Sequence, residues 1–409
     1  MRRQPAKAIA IALFAISLAI AGCGEGSSSP PGVKVASDFA PIGEYGPLLE
    51  GSNDQLFVHI DQLTQRFRET TEPTPGQARA ATALFTDAVL KTAEQVLFRD
   101  DLTDAQRMRA AAAAFGVLHQ RMDTDKTAAP VEAIVDLADR ILERFPKTQL
   151  ATTAAFEKAN TLFTAPETLL PDRKLRFNRV VDAVLELGSL DPPHPNAPGI
   201  LSVLATVTEQ EGSVDRALQM YKILAEKFPG NENSRFAAGN VTRLSAVGQP
   251  IEGLKGSSLD GAPVALDDFR GKVVLVDYWA TWCGPCMVEM PELKKIRAEL
   301  QPEGFEILGI NTDVNPGKAA LFLKENGYDW PQISDVVEAD VEPTAENSLQ
   351  LRYGASSIPL KLLIDRDGTL IATGHALRQL RPHLERLFPT LPPEPANNSP
   401  QHQHRGVPR

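Results

Sequence analysis

Cys283 and Cys286 are two of only three cysteines in the chain, and two residues separate them. Thiols at that spacing serve two chemistries. They supply half of a tetrahedral zinc site, or they pass electrons as a dithiol and disulfide. A structural zinc site needs two more ligands, and there is no second pair of this spacing. His402 and His404 sit in a tail rich in Pro, Gln and Asn, a composition expected to be disordered. Redox chemistry is therefore the expectation, with no metal and no cofactor. Ahead of the cysteines, Lys272 to Trp279 reads Lys-Val-Val-Leu-Val-Asp-Tyr-Trp, a β-branched, apolar strand signal. After them a helical pattern runs to about Leu300. A strand-end loop would then deliver Cys283 to a helix N-terminus. Unpaired N–H groups and the helix dipole favour a thiolate there and lower the thiol pKa from its free value of about 8.5. Cys283 is the expected nucleophile. Cys286, one turn on, is within reach to resolve a mixed disulfide. Pro285 fits an early helical position, where its missing N–H costs nothing.

The elements that must position this pair follow from periodicity. Phe305 to Asn311 reads as a second strand, followed by a helix over 316–327 and another ending near Tyr353-Gly354. Pro359 to Asp365 and Thr369 to Thr373 read as strands around the turn Asp365-Arg366-Asp367-Gly368, with a closing helix from about 376 to 388. Strands alternating with helices, then a hairpin and a helix, predict an α/β sandwich around a mixed sheet. His375 and His383, on or beside the last helix, are expected at its surface. The acidic loop Asp335, Glu338, Asp340 and Glu342 is expected to be solvated.

Trp282-Cys283-Gly284-Pro285-Cys286 matches the thioredoxin active site letter for letter, and its surround resembles the TlpA/ResA branch of membrane-tethered thioredoxins. The marks are Phe269-Arg270-Gly271-Lys272 before the strand, Trp279-Ala280-Thr281-Trp282 into the motif, Glu289 and Pro291 after it, and Ile364-Asp365 with Gly368 near the end. The resemblance covers roughly 251–388. It implies a thioredoxin fold and a cycle that ends in a Cys283–Cys286 disulfide. It implies that Asp277 is the buried carboxylate behind the pair, accepting the Cys286 proton, where many TlpA/ResA relatives carry an uncharged amide. It implies that Pro359 is a cis-proline which, with Ile358 and Trp282, docks the client, although Leu360 replaces the usual threonine. Glu289 is either the acid that tunes the thiols in this branch or a carboxylate paired with the helix dipole. A peroxiredoxin is excluded, because Ala280 and Val276 stand where that family requires a hydroxyl residue and a proline.

The rest of the chain reads as delivery. Met1 to Lys7 is basic, Ala8 to Ala21 is apolar and too short to span a bilayer comfortably, and Ile20-Ala21-Gly22-Cys23 follows. This resembles a bacterial lipobox. It implies a signal peptide over 1–22, a lipidated Cys23, and a Gly-, Ser- and Pro-rich linker over 23–49. From 50 to 248 helix periodicity dominates, with breakers at Pro73, Pro75, Pro130, Pro146, Pro192, Pro193, Pro195 and Pro229-Gly230. Leu204, Gly212, Ala217, Tyr221 and Pro229 fall at spacings that resemble a tetratricopeptide repeat, so an all-α, TPR-like domain is expected to precede the α/β domain of 251–388. It would offer a concave partner surface or serve as a spacer. A disordered tail is expected over 389–409.

Hydrophobic residues are 43% of 409 and charged residues 23%, the balance of a soluble globular protein of two or three domains. The net charge of −10 argues against nucleic acid. The expected protein is a bacterial lipoprotein on the periplasmic or extracytoplasmic face of a membrane. It would be a thiol-disulfide oxidoreductase acting as a protein-disulfide reductase on thiol or disulfide clients. The family implies recharging by a membrane electron donor of the CcdA/DsbD type and a link to cytochrome c maturation. The competing expectation is a helical-repeat scaffold lipoprotein with a redox-sensing thioredoxin appendage.

Overall fold

The computed structural model describes residues 46–48, 50–69, 75–125, 127–337 and 340–392. Cys23 and the signal segment, most of the linker, Glu338, His402 and His404 lie outside the described residues. The described chain divides into two compact units, with the division between His194 and Pro195.

The first unit is all helix: α1 (Asn53–Glu69), α2 (Pro75–Leu97), α3 (Asp104–Thr124), α4 (Ala129–Arg144), α5 (Gln149–Thr164) and α6 (Arg173–Ser189). Prolines and side-chain caps set the boundaries. Pro130 lies in the first turn of α4, and Thr103 caps α3 by accepting from Gln106 N. On α2 Phe85, Ala88, Val89 and Val96 are buried, and on α4 Val131, Ile134, Ala138 and Ile141 are buried.

The second unit begins with three more helices, α7 (Ala197–Gln210), α8 (Val214–Lys227) and α9 (Ala237–Ser245). Packing therefore divides the chain about fifty residues before the boundary expected at 248–251. These helices join the sheet because α9 seats against a short helix, α12 (Leu349–Tyr353). A Cβ at Gly239 would lie 2.0 Å from Leu351 O, so only glycine lets the two backbones approach.

The sheet strands are β1 (Lys255–Ser257), β2 (Pro263–Ala265), β3 (Val273–Trp279), β4 (Phe305–Asn311), β5 (Gln332–Ser334), β6 (Leu360–Ile364) and β7 (Leu370–Gly374), in the order β2-β1-β5-β4-β3-β6-β7. β3 runs parallel to β4 and antiparallel to β6. The remaining helices are α10 (Gly284–Leu300), α11 (Pro316–Asn326) and α13 (Leu377–Leu387). This is the thioredoxin fold with its mixed sheet. The short strands β1, β2 and β5 have no apolar run to announce them, and β1 is exposed at all three positions.

Strand alternation sorts the core into two layers. Val273, Leu275 and Trp279 of β3 and Leu363 of β6 pack with Cys283, Cys286, Met290 and Leu293 around α10, and with Leu377, Leu380 and Leu384 of α13. Val274, Val276 and Tyr278 face the other way, onto Ile251, Leu254, Leu349 and Tyr353. The expected tail does not begin at 389, because Leu391 is buried in the first of these layers and Arg381 donates to Pro392 O.

Candidate active site

β3 is buried along its whole length, and the chain leaves it through Ala280-Thr281-Trp282 to start α10. Cys283 is the N-cap of α10. Its Sγ accepts from Cys286 N at 3.2 Å, so the sulfur occupies the place where orphan N–H groups of a first turn stabilise negative charge. Gly284 and Pro285 fill the first two helical positions. Cys283 and Cys286 form a disulfide, with Cα atoms 5.3 Å apart. The cysteines are 4% and 2% exposed, whereas Trp282 beside them is 69% exposed. The loop is held from below. Asp313 accepts from Thr281 N at 2.9 Å and from Thr281 Oγ1 at 2.7 Å, and Asn311 Nδ2 donates to Asp313 at 2.8 Å.

Asp277 lies on the face of β3 that carries the cysteine layer, and Glu289 is one helical turn past Cys286. The structure joins both through Lys361, which sits opposite Asp277 in the β3–β6 register. Lys361 Nζ donates to Asp277 Oδ1 at 2.8 Å and lies 2.7 Å from Glu289 Oε2. Glu289 Oε1 accepts from Leu377 N at 2.9 Å. Glu289 is therefore neither solvated nor merely paired with a helix dipole. Burial pushes the Asp277 carboxyl up, and the Lys361 ammonium opposes that shift without cancelling it. Burial alone would lower the Lys361 pKa, but the two carboxylates outweigh it and raise the value. Sequence reasoning passed over Lys361. Its signal was a lone charge inside Leu-Lys-Leu-Leu-Ile, the same signal that singled out Asp277.

The Ile358–Pro359 peptide is cis. Pro359 is buried, and Ile358 packs against the layer that holds both cysteines. His375 is not at the surface: its side chain is 9% exposed, with Nδ1 3.3 Å from Pro359 O and Nε2 3.2 Å from Glu209 Oε1. Asp335, expected to be solvated, instead caps α12 and accepts from Leu349 N and Gln350 N at 2.6 and 2.8 Å. Among the described residues no group of three or more His, Cys, Asp or Glu could hold a metal ion.

Glu209 on α7 is buried against Arg243, whose guanidinium donates to both carboxylate oxygens at 2.7 and 2.9 Å. Burial would raise the Glu209 pKa, but His375 and Arg243 outweigh it and bring it down to about 2. The folded value lies below the ordinary 4.5, so this stabilisation is present above pH 4.5 and is lost as pH falls toward 2. Urea unfolding should show a loss of roughly 2 kcal/mol from this group between pH 5 and pH 3. Glu209→Gln should flatten that slope; an unchanged slope would contradict the assignment.

Residues 237–377 match the Redoxin family. The thiol-disulfide oxidoreductase ResA of Geobacillus thermodenitrificans is 31% identical over 147 residues, covering 35% of this chain and 79% of that protein. This chain belongs to the ResA family of thiol-disulfide oxidoreductases. The thiol:disulfide interchange protein HelX of Rhodobacter capsulatus is 33% identical over 111 residues, 27% of this chain and 56% of that protein. The crystal structure of the thioredoxin domain of a thiol-disulfide oxidoreductase from Bacteroides vulgatus shares 28% identity, covering 34% of this chain and 96% of that one, with a TM-score of 0.31. The ResA and Redoxin matches each account for about a third of the chain. Helices α1 to α8 lie outside the Redoxin match.

Proposed function

We propose that this ResA-family enzyme is a protein-disulfide reductase held at the extracytoplasmic face of a bacterial membrane. The observation that carries the reading is the Cys283–Cys286 pair at the N-terminus of α10, with the Asp277, Lys361 and Glu289 charges packed into the same layer. Cys283 thiolate attacks a client disulfide, breaking that bond and forming a mixed disulfide. The departing client sulfur takes up a proton. Cys286 loses its proton to Asp277 and attacks Cys283 Sγ, which releases the second client thiol and leaves the enzyme disulfide. Two electrons pass to the client. Ile358, Pro359 and Trp282 form the docking edge, along which an extended peptide pairs with the backbone.

Among the described residues no helix is long and apolar enough to cross a membrane. Attachment is assigned to acylated Cys23, supported by the lipobox-like Ile20-Ala21-Gly22-Cys23. A reductase in an oxidising compartment must be recharged, so a membrane electron donor of the CcdA/DsbD type is its proposed partner. The reduction potential decides the direction. Equilibration of the chain against dithiothreitol should give a value near that of thioredoxin, about −270 mV. A value near about −120 mV would make the protein an oxidant of secreted thiols and overturn the reductase reading.

A further inference from the structure

The His375 imidazole lies between the helices ahead of the sheet and the cis-proline loop. His375 lies in the turn between β7 and α13. Nδ1 is 3.3 Å from Pro359 O and 3.4 Å from Ser357 Oγ, and Nε2 is 3.2 Å from Glu209 Oε1. The ring is thus wedged between a carboxylate of α7 and the carbonyl of the cis-proline.

Glu209 is not free to drift. Arg243 grips both of its oxygens, and Tyr221 OH donates to Oε2 at 3.3 Å. Arg243 is itself fixed by donation to Tyr353 O, Thr373 Oγ1 and Asn240 Oδ1 at 3.0, 2.8 and 2.7 Å. A second strut runs beside the first. Gln379 Oε1 accepts from His375 N and Ala376 N, and Gln379 Nε2 donates to Gln210 O at 3.1 Å. The last two residues of α7 therefore hold both the side chain and the backbone of the turn.

Burying an ion pair such as Glu209–Arg243 adds little stability over an apolar pair of similar volume. What it supplies here is a carboxylate at a fixed position. Proline has no N–H, so the carbonyl of Pro359 is the one polar backbone group by which this residue can be held. That carbonyl lies in the Pro359–Leu360 peptide plane, and because the ring locks φ, only ψ of Pro359 separates it from the cis Ile358–Pro359 plane.

We infer that His375, packed against Glu209 of α7, is a positioning residue that holds the Pro359 carbonyl and sets the client-docking edge at Ile358. The inference rests on the proposed role of that edge. It makes α7 to α9 part of the catalytic domain, selective for clients that dock as peptides.

The test is single-turnover oxidation of the pre-reduced full chain by two disulfides. Insulin docks as a peptide, whereas dithionitrobenzoate needs no strand pairing. Oxidation of the unsubstituted chain by both checks the dithiol chemistry on its own. Glutamine at 375 reaches toward Glu209 but does not place a donor at the Nδ1 position. Asparagine does place one there. For His375→Gln, half-saturation by insulin should rise by about fivefold to tenfold, the loss of one ordinary hydrogen bond. Its limiting rate, its rate with dithionitrobenzoate and the reduction potential should stay as in the parent. His375→Asn should remain within about twofold of the parent, since it keeps that hydrogen bond. The inference is overturned if His375→Gln leaves insulin half-saturation unchanged, if both disulfides slow together, or if His375→Asn loses as much as His375→Gln.

Discussion

The Cys283→Ser chain should reduce protein disulfides slower than the parent by about a thousandfold or more, with no covalent client adduct. Cys286→Ser should lose turnover as completely but accumulate a mixed disulfide. The asymmetry follows from where each sulfur sits. Cys283 Sγ caps α10 and accepts from Cys286 N, so the first turn stabilises the thiolate at that position. Cys286 lies inside the first turn, buried like Cys283, and in the proposed mechanism it meets the intermediate only after the client is attached. Without Cys283 the attacking thiolate is gone. Without Cys286 the first exchange still occurs, and the Cys283–client bond has no resolving thiol. Non-reducing electrophoresis of each variant mixed with insulin reads the difference directly. An adduct formed by Cys283→Ser and absent from Cys286→Ser would reverse the two roles.

Lys361→Met should lower stability at pH 8 by about 3–5 kcal/mol, the cost of leaving buried charge unpaired. Methionine matches the length of the lysine stem, so the change removes an ammonium and little packing. Asp277 is buried and its carboxyl is already raised by burial against the pull of Lys361. Removing that pull raises it further. In the variant the folded state then holds protons that the unfolded chain releases. Stability therefore falls as pH rises from the unfolded carboxylate range through the higher folded value. The gap between variant and parent should be widest at pH 8 and narrower at pH 5. Urea titrations at the two pH values measure it. Asp277→Asn combined with Lys361→Met should recover the part of the loss that comes from Asp277, while Glu289 stays without its ammonium. At neutral pH the single variant should also resolve mixed disulfides more slowly by about tenfold to a hundredfold, because a protonated Asp277 accepts no proton. Equal stability of parent and variant at pH 8 would remove Lys361 from the site.

These effects differ in how far the sequence announced them. The cysteine pair stood in a motif whose spacing and surround sufficed, since the next strand and helix are local and strongly patterned. Pro359 and Asp277 came from the resemblance, and the structure gives them a cis bond and a buried ion pair. Lys361 was legible in principle as a charge in an apolar strand, yet its partners lie 84 residues away on β3 and 72 away on α10. Asp313 and Gln379 gave no signal at all. Asp313 accepts from Thr281 N and Gln379 donates to Gln210 O, each in a distant segment, and such bonds leave no periodicity behind.

From the residues alone came the redox pair, its helix N-terminus, the positions of the main strands along the chain, the helical character of the first half and the acidic balance. All of these depend on local propensity, on periodicity of 2 or 3.6 residues, or on counting. Only the tertiary structure decided that α7 to α9 belong with the sheet, that Glu289 turns inward to Lys361, and that His375 leaves the surface to meet Pro359 and Glu209. The reason is the same in each case. A charged or polar side chain near an element's end is compatible with solvent until a distant partner arrives to desolvate it. Where that partner lies is set by chain crossings such as the close approach of Gly239 to Leu351, which no local pattern encodes.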